Sequence, residues 1–151
     1  MNDMNNVTPL RRPKPKKPLF DPRDPKSQVQ LVYGLSIASF AIMWLGTQFV
    51  DWIGMGFGVA ALVISVSKRD EGVFWARSHY EFALRTMIIG AVVWTLLSLL
   101  GLVIGWIPLV GSLTIFIAKA CVLGWVALRS GSGFLKASDT KVIANPMSWL
   151  F

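Results

Sequence analysis

Two long apolar stretches, residues 29–67 and 86–128, set the strongest limit on how this chain folds. As one continuous helix, the first would be about 58 Å long at 1.5 Å per residue. That is nearly twice the ~30 Å thickness of the hydrocarbon core of a bilayer. Each stretch therefore predicts two membrane-spanning helices joined by a turn. Glycine and polar residues at 46–51, and glycine and proline at 105–111, place the helices near 29–48, 52–67, 84–104 and 108–128.

The composition supports the same fold class. The chain has 54% hydrophobic and 15% charged residues, whereas soluble domains have about 25% charged residues. We therefore predict an all-α membrane protein with four transmembrane helices arranged as two hairpins. The chain divides into a disordered, basic, proline-rich arm (1–28), a four-helix transmembrane domain (29–128) and a tail with an apolar terminus (129–151).

The basic residues predict how the chain is oriented. Seven of the fifteen Lys and Arg lie in the arm, four lie in residues 68–85 and three lie in the tail, whereas the other two turns have none. By the positive-inside rule, both termini and the central loop are cytoplasmic. The net charge of +7 then favours anionic lipid headgroups over nucleic acid as the partner. We expect a multi-pass protein of a bacterial inner membrane.

Lys119 is the strongest functional indication, because it is a lone charge inside an apolar span. A charge at the centre of a bilayer costs about 2.5 to 3.5 kcal/mol on insertion scales and usually has a function. Three interpretations are open. The side chain extends to the headgroups through a locally thinned bilayer, it pairs with Glu81 or with a partner subunit, or it lines a substrate path.

A second group of polar residues, Ser78 to Thr86, occupies the predicted entry to the third helix, with Ser78 as its N-cap. Glu81 and Arg85 are spaced to pair at i,i+4, and His79 lies on another face with Phe82 and Thr86. Metal binding is disfavoured because the chain has one histidine and no second ligand at helical spacing. A structural cluster at the membrane interface is the favoured interpretation.

Two glycine pairs, Gly54 with Gly58 and Gly101 with Gly105, have the GxxxG spacing that lets helices approach closely. They predict packing within the bundle or, as the alternative, a homo-oligomer. The single cysteine, Cys121, excludes an internal disulfide and predicts a small packed residue. We find no nucleophile-elbow, HExxH or P-loop pattern and expect neither an enzyme nor a cofactor.

The tail ends in an apolar sequence that is unusual for a disordered terminus. We expect it to dock on the membrane surface or in a cytoplasmic groove. Trp149 and Phe151 are the candidate anchors.

Three segments together resemble a family of small bacterial inner-membrane proteins known only as a domain of unknown function. The resemblance covers residues 30–151 and is carried by Ser78-His79-Tyr80-x-Phe82-x-x-Arg85-Thr86, Ile117-x-Lys119-x-Cys121-Val122-x-Gly124 and Asn145-Pro146-x-Ser148-Trp149-Leu150-Phe151. Members of this family are distantly similar in hydropathy to the inner-envelope subunit of the chloroplast import translocon. The resemblance implies a role beside other membrane subunits.

Two functional hypotheses follow. In the first, the protein is a non-catalytic structural or accessory subunit that contacts partner proteins or anionic lipid through Lys119 and the residues from His79 to Arg85. In the second, it is a small homo-oligomeric transporter or channel in which Lys119 lines an anion path.

Overall fold

The computed structural model describes residues 21–46, 48–70, 72–107 and 109–148. Within these ranges the chain forms four helices and no strand. They are α1 (Pro25–Leu45), α2 (Gln48–Arg69), α3 (Phe74–Ile104) and α4 (Val110–Ser138). All four are long and apolar enough to cross a membrane. The predicted fold class, an all-α protein with four spans in two hairpins, is confirmed.

The first helix begins slightly earlier than predicted. Asp24 is its N-cap, and its carboxylate accepts a hydrogen bond from the backbone N–H of Lys26 at 3.2 Å. Pro25 follows at the first helical position, where a missing N–H costs nothing. α1 therefore includes residues that the sequence placed at the end of the basic arm. Residues 1–20 of that arm lie outside the described part of the chain.

The second hairpin differs more from its predicted bounds. α3 begins at Phe74, ten residues before the predicted start, and α4 continues to Ser138, ten residues past the predicted end. Ser78 is consequently not an N-cap. Its hydroxyl lies inside α3 and donates to the carbonyl of Trp75 at 2.7 Å. Thus α3 and α4 each carry nearly three extra turns on the side where α1 begins.

We call that side the basic end of the bundle. α1 begins, α2 ends, α3 begins and α4 ends there, and the turns 46–48 and 105–109 lie at the opposite end. α1 packs against each of the other helices, and α3 packs against α2 and α4. The charged residues of the described helices other than Asp51 and Lys119 lie toward the basic end.

The middle of the bundle is filled by apolar side chains. The rings of Phe40 and Trp94 meet edge to face, with centroids 5.6 Å apart. A Cβ added to Gly90 would lie 2.7 Å from the Phe40 ring and 3.2 Å from Val126. Gly90 thus lets the aromatic ring of α1 reach the space between α3 and α4.

The first glycine pair holds the α1–α2 hairpin together. Gly54 and Gly58 are buried, and the Ser39 hydroxyl donates to the carbonyl of Gly54 at 2.7 Å. A Cβ on Gly58 would lie 2.8 Å from the same hydroxyl. These contacts use the pair for packing within one chain.

The second glycine pair has two different roles. Gly101 faces Ile115 of α4, at 3.5 Å from an added Cβ. Gly105 ends α3 as its C-cap and lies against Gly111 in the turn to α4. Gly101 therefore lies at a contact between α3 and α4, whereas Gly105 serves the turn.

Candidate functional site

The most deeply buried charge in the described residues is Arg129, which is 1% exposed. Its Nε donates to the hydroxyl of Thr86 at 2.8 Å and its Nη1 to the carbonyl of Ser148 at 2.6 Å. The guanidinium also lies 4.0 Å above the centre of the Phe82 ring and 5.6 Å from that of Trp125. Two neutral oxygens and two aromatic faces therefore surround the charge.

His79 joins α1 to the C-terminal segment, by which we mean residues 139–148. Its Nε2 lies 2.8 Å from the carbonyl oxygen of Lys141, and its Nδ1 lies 3.0 Å from the hydroxyl of Tyr33. A carbonyl only accepts, so Nε2 carries the proton and donates. In the neutral ring, Nδ1 then accepts from Tyr33.

Tyr33 reaches His79 because α4 has a glycine opposite the phenol ring. A Cβ added to Gly133 would lie between 2.5 and 2.8 Å from atoms of the Tyr33 ring and its hydroxyl. Tyr33 itself is fully buried. Residues 130–133, with the sequence Ser-Gly-Ser-Gly, are therefore part of α4, and the absence of a side chain at Gly133 leaves room for the Tyr33 ring.

The C-terminal segment lies across the basic ends of α3 and α4. Besides the contacts of Lys141 and Ser148, the backbone N–H of Ile143 donates to the Ser78 hydroxyl at 3.2 Å, and the Ile143 side chain is buried. This is docking onto the protein, one of the two alternatives the sequence left open. The proposed anchors, Trp149 and Phe151, lie outside the described residues.

The segment begins at an exposed turn. Lys141 Nζ donates to the Asp139 carboxylate at 2.9 Å, and both side chains are well exposed. This hydrogen bond lowers the pKa of Asp139 below its ordinary value. Asp139 is therefore ionised at neutral pH. Its ion pair with Lys141 contributes little to stability, because both side chains are exposed.

Glu81 and Arg85 form the i,i+4 contact that their spacing allows. Arg85 Nε donates to Glu81 at 2.9 Å, and Arg69 of α2 lies 3.8 Å from the other carboxylate oxygen. This ion-pair group is partly exposed at the basic end. His79 faces the interior instead, on a different face of α3 from the two charged residues.

Lys119 projects from α4 toward Trp94 of α3. It is half-buried, and its Nζ is 5.0 Å from the centre of the Trp94 ring. Within residues 21–46, 48–70, 72–107 and 109–148, no carboxylate forms an ion pair with it. Glu81, the predicted internal partner, contacts Arg69 and Arg85 instead.

Sequence reasoning missed Arg129, Tyr33 and Gly133 as parts of one site. Arg129 follows an apolar span, so it was counted only among the charges that set the topology. One signal was available. Small residues recur on one face of α4, at Ser130, Gly133 and Ala137, and such a face indicates close helix packing.

We call Tyr33, His79, Thr86 and Arg129 the basic-end cluster. Its contacts tie α1, α3, α4 and the C-terminal segment together through polar groups. The described residues contain no group of three or more His, Cys, Asp or Glu placed to hold a metal. The chemistry available here is hydrogen bonding and the recognition of negative charge by guanidinium.

Comparison with known proteins gives no relative. No family model, no curated protein and no solved structure matches the chain.

Proposed function

We propose that this protein is a non-catalytic accessory subunit of a bacterial inner membrane, and that it binds a partner through the α3–α4 surface bearing Lys119. The observation that carries the proposal is a half-buried ammonium in the apolar part of α4 with no carboxylate partner among the described residues. A lone charge at that depth is costly. Contact with the face of Trp94 offsets only part of this, about 0.5 to 2 kcal/mol.

The chemistry of Lys119 defines the partner. A carboxylate on a neighbouring transmembrane helix, at the depth of Lys119, would supply the missing charge and a charge-assisted hydrogen bond. A second copy of this chain fits less well. Among its described acidic residues, Asp51 lies at the far end of α2 and Glu81 is already paired near the basic end.

The orientation follows from the basic end. Arg69, Arg77, Lys136 and Lys141 all lie there, and by the positive-inside rule this end faces the cytoplasm. Its charges would contact anionic headgroups. The resemblance to small bacterial inner-membrane proteins and, through hydropathy, to a translocon subunit is consistent with a role beside larger membrane proteins.

The packing disfavours the transporter or channel hypothesis for a single chain. Phe40 and Trp94 pack together in the middle of the bundle, and the ammonium of Lys119 lies against the Trp94 ring. A cavity of about 240 Å³ between α1, α2 and α3 is lined mostly by apolar side chains, three of them methionines. An anion path would therefore require several copies with Lys119 at their interface.

The test compares Lys119→Met with Lys119→Arg. Each protein is purified from native membranes in a mild detergent, and the intact assembly is weighed by native mass spectrometry. The wild type and Lys119→Arg should retain the same hetero-partner. Lys119→Met should fold and insert equally well but lose the partner, because methionine keeps the bulk of the side chain without its charge.

Equal partner retention by all three proteins would refute the proposal. A homo-oligomer of fixed number that needs Lys119 would instead support the channel hypothesis. Anion flux through reconstituted vesicles would then be the next measurement.

A further inference from the structure

The basic-end cluster presents an unusual charge balance at Arg129. The guanidinium is buried, yet its two hydrogen-bond acceptors among the described residues are both neutral, Thr86 and the carbonyl of Ser148. No carboxylate in that part of the chain forms an ion pair with it. Buried charges are normally neutralised, since leaving one unpaired costs several kcal/mol.

The surroundings of Arg129 add positive charge. Arg85 is close enough to exert an electrostatic effect on it, and Lys136 lies two turns further along α4. The acidic group at this end, Glu81, already contacts Arg85 and Arg69. The local field therefore favours an anion, and guanidinium groups bind the oxygens of phosphate in a bidentate fashion.

The depth of Arg129 identifies the kind of anion. It lies nineteen residues after Val110, the first residue of α4, which corresponds to about 28 Å of helix. That length is close to the ~30 Å thickness of the hydrocarbon core. With the start of α4 at one membrane surface, Arg129 lies at the other, at the level of the lipid phosphates.

The C-terminal segment now occupies the position that such an anion would take. Its Ser148 carbonyl accepts the hydrogen bond from Nη1 of Arg129, while His79 and Ser78 hold Lys141 and Ile143 through one hydrogen bond each. A bond from Arg129 to this carbonyl and one to a phosphate are both hydrogen bonds from a charged donor, but a phosphate also carries the negative charge that the carbonyl lacks, and it can accept two hydrogen bonds from one guanidinium. A phosphate is therefore the better partner for the guanidinium itself.

We propose that Arg129, assisted by Arg85, is a binding site for a phosphate ester group, supplied by the headgroup of an anionic phospholipid. The C-terminal segment covers this site and is displaced when the phosphate binds. The site is separate from the surface around Lys119, and phosphate binding at Arg129 does not require a protein partner.

The first experiment measures lipid retention by the full-length protein. Native mass spectrometry is carried out with added phosphatidylglycerol or phosphatidylcholine on the wild type, Arg129→Gln and Lys136→Gln. The two variants lose the same charge from the same helix. Arg129→Gln should lower phosphatidylglycerol retention about tenfold, the loss expected for a hydrogen bond between charged groups, and Lys136→Gln by less than about twofold.

The second experiment uses only the wild type, so it does not depend on how Arg129→Gln folds. Amide hydrogen exchange of residues 143–148 is measured with phosphatidylglycerol, with phosphatidylcholine and with inorganic phosphate. Phosphatidylglycerol should speed exchange at Ile143 and phosphatidylcholine should not. The same acceleration with inorganic phosphate would support the site with free phosphate as its ligand.

Two results would overturn the inference. One is an equal loss of phosphatidylglycerol in Arg129→Gln and Lys136→Gln. The other is unchanged exchange at residues 143–148 with both phosphatidylglycerol and inorganic phosphate.

Discussion

The basic end and the middle of the bundle accommodate a cation of the same helix in opposite ways. Arg129 is sealed between α3, α4 and the C-terminal segment and makes two hydrogen bonds. Lys119, about 15 Å away along α4, is half-buried and lies over a single aromatic ring. Arg129 thus has two hydrogen-bond acceptors within the described chain, whereas Lys119 has a contact with one ring there.

This contrast shows that the contacts available to a charged side chain depend on its position along the bundle. At the basic end, polar groups from three helices meet, so an arginine there finds partners within its own chain. In the middle, the facing side chains are apolar, as the packing of Phe40 on Trp94 shows. The proposed partner of Lys119 would supply the negative charge that these side chains do not. Three paired substitutions test this contrast, each with a control from the same chain.

The largest effect is expected for Gly133→Ala at the basic end. The new Cβ would overlap the Tyr33 ring, and overpacking of this kind costs about 1 to 3 kcal/mol. Thermal unfolding in detergent, followed by circular dichroism, should show a clear fall in the midpoint. Gly131→Ala is the control, because open space surrounds that position and alanine raises helix propensity by about 1 kcal/mol. A stabilising Gly133→Ala would contradict the placement of Tyr33.

A smaller effect is expected for Tyr33→Phe. The change removes the hydroxyl that donates to His79, and a typical hydrogen bond contributes about 0.5 to 1.5 kcal/mol to stability. Tyr80→Phe is the matched control, because its hydroxyl makes a longer, part-buried bond of 3.3 Å to Gln28. Unfolding midpoints should fall more for Tyr33→Phe. The reverse order would show that His79 does not depend on Tyr33.

The smallest effect is expected for Ser39→Ala, nearer the middle of the bundle. It removes the hydrogen bond from α1 to the Gly54 carbonyl, and such interhelical bonds in membrane proteins are worth about 0.6 kcal/mol. Ser36→Ala is the control, since Ser36 bonds only within its own helix, to Val32. If the unfolding midpoint fell as much for Ser39→Ala as for Gly133→Ala, the expected difference between the two regions would be contradicted.

The sequence predicted the number and type of helices because hydropathy is a sum over many residues. It did not predict where α3 begins, because Arg77, His79 and Glu81 end the apolar stretch without ending the helix. Hydropathy reports which residues prefer lipid, whereas helix formation continues through polar residues that have partners.

The end of α4 was missed for a related reason. The apolar stretch 86–128 ends before Arg129 and the Ser-Gly-Ser-Gly sequence at 130–133, so the helix was expected to stop at Leu128, although it continues through these residues of low helix propensity. Packing overrides propensity here, because Gly133 must lie against Tyr33. Because α4 was predicted to end at Leu128, the site around Arg129 was missed as well. Lys119 is conspicuous against an apolar background, whereas the burial of Arg129 depends on residues 43 positions earlier and 19 positions later in the chain.

One paired measurement tests the division of roles most directly. Lys119→Met and Arg129→Met are purified in parallel, and each is examined for partner retention and for amide exchange in residues 143–148. We predict that Lys119→Met loses the partner and keeps the segment protected, whereas Arg129→Met keeps the partner and exposes the segment. An exposed segment in Lys119→Met, or a protected one in Arg129→Met, would contradict the account.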